Sequence, residues 1–117
     1  YIRSSSKKHG MQNKVEGDIH QGSKILVFED LVSTGMSSLD AVKCIRDTGK
    51  TIEGMIAIFS YAFDATVERF AAEDCPLITL SDYPSLMDTL KENGKLGEEE
   101  LNHLLNWRKD PENWQTA

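Results

Sequence analysis

The 117-residue chain predicts an α/β fold built on a mostly parallel sheet flanked by helices. Three observations predict it. The run Ile25-Leu26-Val27-Phe28 is apolar on both faces, as central parallel strands are. Two further short apolar runs, at 55–61 and 77–80, are each preceded by a segment with helical spacing. Parallel neighbours need a crossover between them, and a right-handed helical crossover is the form that packs back onto the sheet.

The elements follow in order. Tyr1-Ile2-Arg3 reads as the end of a buried strand with no initiating Met and no linker ahead of it, so the sheet is expected to be incomplete at its N-terminal side. Residues 4–22 are polar and broken by Gly10, Gly17 and Gly22, a long flexible loop with room for a short hairpin at Lys14-Val15-Glu16. A strand is expected over 24–28 and a turn over 29–35. The helix over 36–48 places Leu39, Val42 and Ile45 on one face and stops at Gly49. After the strand at 55–61, a helix over 64–74 turns Val67, Phe70 and Ala71 inward. The strand at 77–80 leads through Ser81-Asp82-Tyr83-Pro84 into a helix ending near Asn93 and Gly94, with Pro84 tolerated in its first turn. A last acidic helix over 98–108 carries Leu101, Leu104, Leu105 and Trp107, followed by a tail with Pro111 and Trp114. Residues 1–95 thus read as one partial core and 96–117 as a C-terminal helix and tail.

Composition narrows the classes of function. Apolar residues make up 39% and charged residues 27%, ordinary values for a globular domain. No stretch approaches the roughly 20 apolar residues of a membrane span. The net charge of −6 disfavours a general nucleic-acid binder. It also splits unevenly: residues 1–14 hold Arg3, Lys7, Lys8 and Lys14 with no acid, which leaves −10 on the rest. A basic arm on an acidic body suits a local anionic ligand or a solvated basic loop. Cys44 and Cys75 have neither metal-site nor redox spacing and read as reduced structural thiols of a cytoplasmic protein.

The segment from Ile25 to Ser37 carries the chemistry. A buried strand brings Glu29 and Asp30 to its C-terminal end, where open α/β sheets bind ligands. Small hydroxylic residues and a glycine follow, Ser33-Thr34-Gly35, and a helix begins at once. Such a turn aims backbone N–H groups and the positive helix end at one point, which suits a phosphate dianion. Ser33, Thr34, Ser37 and Ser38 can add hydroxyl donors. The helix dipole contributes only about 0.3–1 kcal/mol, up to ~2 when partly buried, so several charge-assisted hydrogen bonds must act together. Acids beside a phosphate cradle make sense if the ligand puts hydroxyls between them, and a sugar phosphate does so. The spacing is not that of a P-loop, which needs GxxxxGK[ST].

The same thirteen residues resemble the PRPP-binding signature of type I phosphoribosyltransferases: four apolar residues, an acidic pair, two apolar residues, then Ser-Thr-Gly-x-Ser. The resemblance implies that Glu29 and Asp30 meet the ribose hydroxyls of PRPP, and that Val32, Ser33, Thr34, Gly35, Met36 and Ser37 wrap the 5′-phosphate. Met36 stands where many members have Gly or Thr. Magnesium is implied on the ligand's pyrophosphate and ribose oxygens, with no direct protein ligand. Upstream, Arg3-Ser4-Ser5-Ser6-Lys7-Lys8-His9-Gly10 resembles the Arg-Lys-x-x-Lys-x-His-Gly stretch of the orotate branch. On that likeness Arg3 meets the pyrophosphate, Lys7 is a mobile catalytic lysine and His9 a further pyrophosphate or acid group, while Ser4 departs from the usual second lysine. The Ile58 to Phe63 stretch and the tail from Leu105 to Trp114 also resemble one orotate branch, and Ser33 is a candidate base contact.

The resemblance therefore implies phosphoribosyl transfer from PRPP to orotate, giving orotidine 5′-phosphate and pyrophosphate in pyrimidine synthesis, by a cytoplasmic homodimer. Asp30, near the ribose, would offset positive charge at C1. The family's N-terminal hood and first PRPP loop have no counterpart in this sequence. The competing readings are transfer to a purine or another base, and a non-catalytic PRPP-sensing regulator of the same fold. Lys7 and His9 favour the enzyme.

Overall fold

The computed structural model describes Ile2, His20 and residues 24–114. Tyr1, Arg3, the stretch expected to form a hairpin, and the rest of the 4–22 loop apart from His20 lie outside the described residues. Within them the chain alternates β1 (Lys24–Val32), α1 (Met36–Arg46), β2 (Thr51–Ser60), α2 (Asp64–Ala72) and β3 (Leu77–Asp82), then continues into α3 (Tyr83–Glu92) and α4 (Glu98–Lys109). The three strands form one parallel sheet in the order β1-β2-β3, as the strand–helix alternation predicts.

The strands are longer than their apolar runs. β1 continues through the acidic pair to Val32, because Glu29, Leu31 and Val32 still pair with Ala57, Phe59 and Ser60 of β2. β2 begins at Thr51, where Lys24 and Ile25 of β1 pair with Thr51 and Ile52 ahead of a register shift. A ladder partner thus extends a strand past the point where its hydrophobic pattern stops.

Both crossover helices lie on one face of the sheet. Leu39, Val42 and Ile45 of α1 pack with Ile52, Met55 and Ala57 of β2, Val32 of β1, Phe70 of α2 and Cys75. α2 is rotated from the expected face. Thr66 and Phe70 are its buried residues, while Val67 is 59% exposed and Ala71 is also exposed. The last turn of α1 ties to the end of α2. Lys43 Nζ lies 2.9 Å from Glu73 Oε1, and the Arg46 guanidinium donates to the Glu73 and Asp74 carbonyls. Burial pushes the Cys75 thiol above its ordinary pKa, as expected of an inert core cysteine.

The other sheet face is apolar and open among the described residues. Leu26 and Phe28 of β1, Ile58 of β2, and Ile78 and Leu80 of β3 are all half exposed or more. The expectation that β1 is covered on both faces is therefore met on one face only, where Ile25 and Val27 pack against the core.

α3 and α4 make a second cluster at the C-terminal end of β2. Tyr83, Met87 and Leu101 are buried there with Phe59, Tyr61, Leu104, Leu105 and Trp107 around them. Asp82 caps α3: its Oδ1 accepts from the Ser85 N–H at 2.8 Å, and Pro84 occupies the first turn, where a missing N–H costs nothing.

The cap makes a pH prediction. The Ser85 N–H holds the Asp82 carboxyl below the ordinary aspartate range. A depressed folded pKa means stability that is present above the unfolded value, near 3.9, and is lost as pH falls through the folded one. Asp82→Ala is expected to lower stability by about 1 kcal/mol at neutral pH. Urea titrations of the two proteins should converge as pH drops below about 4.

Candidate functional site

The site is built where β1 hands over to α1. Because β1 runs to Val32, the acidic pair stands inside the strand, and successive side chains of a strand leave on opposite faces. Glu29 turns toward α1, is half-buried, and accepts at Oε1 from Ser38 Oγ at 3.0 Å. Asp30 is exposed, and its Oδ1 accepts from the next N–H, that of Leu31, at 2.7 Å. The two carboxylates adjoin in sequence yet do not converge. Ser38, read from sequence as a phosphate donor, is spent on Glu29.

The turn itself is Ser33-Thr34-Gly35. Gly35 is the N-cap of α1 at φ 76, a left-handed conformation that glycine adopts without strain. No side chain caps α1 and no acid stands in its first turn. Among the described residues, the N–H groups of Thr34, Gly35, Met36 and Ser37 donate to no backbone or side-chain acceptor. The carbonyls behave in the opposite way. Val32 O accepts from the Tyr61 N–H at 3.1 Å and Gly35 O from the Leu39 N–H at 2.9 Å. Ser33 O accepts from Thr66 Oγ1 at 2.7 Å, and Thr34 O from Arg69 Nη1 at 2.9 Å. Every carbonyl from Val32 to Gly35 thus meets a protein donor, while the amides of Thr34 to Ser37 find no acceptor among the described residues. Ser33, Thr34 and Ser37 are exposed beside them, as is Met36 at 62%. An uncapped helix start with unpaired N–H groups and hydroxyls nearby has the chemistry that suits an anion.

The sequence-predicted residues separate into groups. Asp30, Ser33, Thr34, Gly35, Met36 and Ser37 lie together at the C-terminal end of β1 and the start of α1. Glu29 is close in chain but directed to the α1 side. Val32 is fully buried, so only its backbone can serve the turn. Arg3, Lys7 and His9 lie outside the described residues. Among the described residues no three His, Cys, Asp or Glu side chains gather to hold a metal ion. Asp30, exposed at the end of β1, could stand beside a magnesium ion whose other oxygens come from a ligand.

Sequence reasoning did not single out Thr66, Arg69 or Arg108. Thr66 and Arg69 sit more than thirty positions from the carbonyls they hold, and their spacing on α2 carries no signal that a neighbouring turn needs them. Arg108 on α4 donates through Nε to Tyr61 O at 2.9 Å and through Nη2 to Ala62 O, and Ala62 has a left-handed φ of 52. It fastens the β2–α2 loop beside the site, where Tyr61 and Phe63 stack in parallel with Trp107 edge-on to both.

No protein-family model matches the chain. It is 44% identical over its whole length to the orotate phosphoribosyltransferase of Phocaeicola vulgatus, of which it covers 55%. The chain spans about half the length of the curated relatives it matches. Among solved structures it resembles Mycobacterium tuberculosis orotate phosphoribosyltransferase in complex with Fe(III) dicitrate. The TM-score is 0.60 at 34% identity, over 73% of this chain and 48% of that one. A second structure of that enzyme, in complex with inorganic phosphate, gives a TM-score of 0.59 at 28% identity over 73% and 45%.

Gly35 is the most constrained position of the turn. A Cβ there would stand 2.7 Å from Phe70 Cε2 and 3.1 Å from Thr66 Cγ2, on a backbone that disfavours any side chain. Gly35→Ala is expected to cost about 1–3 kcal/mol of stability, measured as a lowered urea midpoint. A neutral result would mean that α2 stands clear of the turn in solution.

Proposed function

We propose, from homology along its whole length to orotate phosphoribosyltransferases and from its type I phosphoribosyltransferase fold, that this chain forms the PRPP-binding part of an orotate phosphoribosyltransferase. The observation that carries the proposal is the turn after β1, whose carbonyls are bonded to protein while the amides of Thr34 to Ser37 have no acceptor among the described residues. A 5′-phosphate placed there accepts from those amides and from the hydroxyls of Ser33, Thr34 and Ser37. The ribose then lies over the end of β1, where Asp30 accepts from its hydroxyls. Glu29, steadied by Ser38, lines the α1 side. Ser33 at the mouth of the turn is a candidate contact for the base.

The reaction this arrangement serves is displacement at the ribose C1. A ring nitrogen of orotate, its proton lost to solvent, forms the new bond to C1 while the bond from C1 to the pyrophosphate oxygen breaks, and the electron pair leaves with pyrophosphate. Positive charge grows on the ribose in the transition state, and the carboxylate of Asp30 offsets it. Negative charge grows on the leaving group, and Arg3, Lys7 and His9 are the residues proposed to meet it. Magnesium, arriving with PRPP, would supply further neutralisation of that pyrophosphate. A homodimer in the cytoplasm completes the proposal.

Two variants test the proposal in the protein that spans the relatives' full length. Asp30→Asn should weaken PRPP binding and turnover by roughly tenfold or more while the thermal midpoint stays put, since one charge-assisted hydrogen bond is worth about 1.5–3 kcal/mol. Wild-type affinity and rate in this variant would remove Asp30 from the site. Lys7→Ala should lower kcat well beyond its effect on the PRPP dissociation constant, because an interaction that grows with the leaving charge acts in the transition state. Equal losses in both would make Lys7 a ground-state binding residue. The base is read by comparing orotate with uracil, adenine and hypoxanthine as acceptors.

A further inference from the structure

We infer that Thr66 and Arg69 of α2 are positioning residues for the phosphate turn, setting the orientation of the Ser33–Thr34 and Thr34–Gly35 peptide planes so that their N–H groups face the ligand. The inference rests on the phosphate-site reading above and adds a role that neither residue has there. A peptide group is a rigid plane with C=O and N–H pointing in opposite directions. Fixing its carbonyl therefore fixes its amide. Thr66 Oγ1 donates to Ser33 O at 2.7 Å, so the Thr34 N–H of the same plane is held on the far side. Arg69 Nη1 donates to Thr34 O at 2.9 Å, which holds the Gly35 N–H likewise. These are two of the amides that find no described acceptor in the protein.

Thr66 acts through the turn and not on the ligand. It is 1% exposed, with its methyl 3.1 Å from where a Cβ on Gly35 would stand. Arg69 is exposed and its charge adds a long-range attraction for an anion, so the uncharged Thr66 separates positioning from electrostatics. The arrangement also explains the rotation of α2. Burying Thr66 and Phe70 rather than Val67 and Ala71 aims the hydroxyl at Ser33 and the ring at Gly35.

The test uses the protein that spans the relatives' full length, labelled with 15N and titrated with ribose 5-phosphate. In the wild type the amides of Thr34 to Ser37 should shift on binding. Thr66→Val keeps the shape and removes the donor. It should weaken binding by roughly 2- to 10-fold and change the residual dipolar coupling of the Thr34 N–H in the free protein, with Thr66→Ser restoring both. Arg69→Met should do the same for Gly35, and Arg69→Lys should recover the electrostatic share of the affinity but not the coupling. If Thr66→Val fails to fold, Arg69→Met carries the same test from an exposed side chain. Unchanged couplings and affinity in the variants, with a wild type that binds, would overturn the positioning role and leave the phosphate site standing. A wild type whose turn amides ignore ribose 5-phosphate would remove the phosphate site, and the positioning role with it.

Discussion

Each peptide plane in the turn after β1 offers a donor on one side and an acceptor on the other, and the described residues claim only the acceptors. Four successive carbonyls, from Val32 to Gly35, are bonded to groups from the β2–α2 loop, from α2 and from the first turn of α1. A buried or half-buried carbonyl left without a partner costs on the order of 1–3 kcal/mol, so satisfying all four removes any reason for the turn to flip. What remains is a row of amides at a helix start with no capping side chain. The placement of α2 follows from this constraint. So does the demand for glycine at position 35, where the chain passes within contact distance of Phe70 and Thr66.

The acidic pair gains meaning from the strand that carries it. Had Glu29 and Asp30 stood in a loop, both carboxylates would have been free to face the amide row, and an anion there would have met two negative charges. Strand alternation sends one to each face. Glu29 is engaged by a buried serine on the α1 side, and Asp30 is left exposed at the strand's end. A single exposed carboxylate at the strand's end is compatible with a ligand that carries hydroxyls next to its phosphate, and repels a bare anion less than a converging pair would.

Much of this was legible in the sequence, and the limits are physical. The order of elements, the inward face of α1 and the Ser33-Thr34-Gly35 turn follow from periodicity and turn chemistry, which are local. The extension of β1 through Glu29 and Asp30 was not legible, because it depends on pairing with Ala57, Phe59 and Ser60, some 28 positions away. The face of α2 is legible only in part for the same reason: Phe70 is buried as its spacing predicts, while Val67 and Ala71 are exposed. Val67 and Ala71 are the more apolar choice, yet Thr66 is buried because its hydroxyl has a carbonyl to serve. Contacts such as Arg69 to Thr34 and Arg108 to Tyr61 are long-range and polar, and no spacing rule predicts them.

The open sheet face follows from topology. Strands added in one direction, β1 then β2 then β3, by crossovers of a single hand place every connecting helix on the same side. Covering the second side takes helices from units that run the other way from β1, or a partner. The side chains there are not those of a solvated face: Leu26, Phe28, Ile58, Ile78 and Leu80 are large, apolar and contiguous across the three strands, with Phe28 in register with Ile56 and Ile78. Apolar patches of this kind mark surfaces that are covered in the working protein. Among the described residues β1 is also the edge at which such units would join, and the Ser33-Thr34-Gly35 turn follows it. In a doubly wound sheet continued from β1, the turn after that strand would fall where strand order reverses, the place where such sheets open a crevice for their ligands.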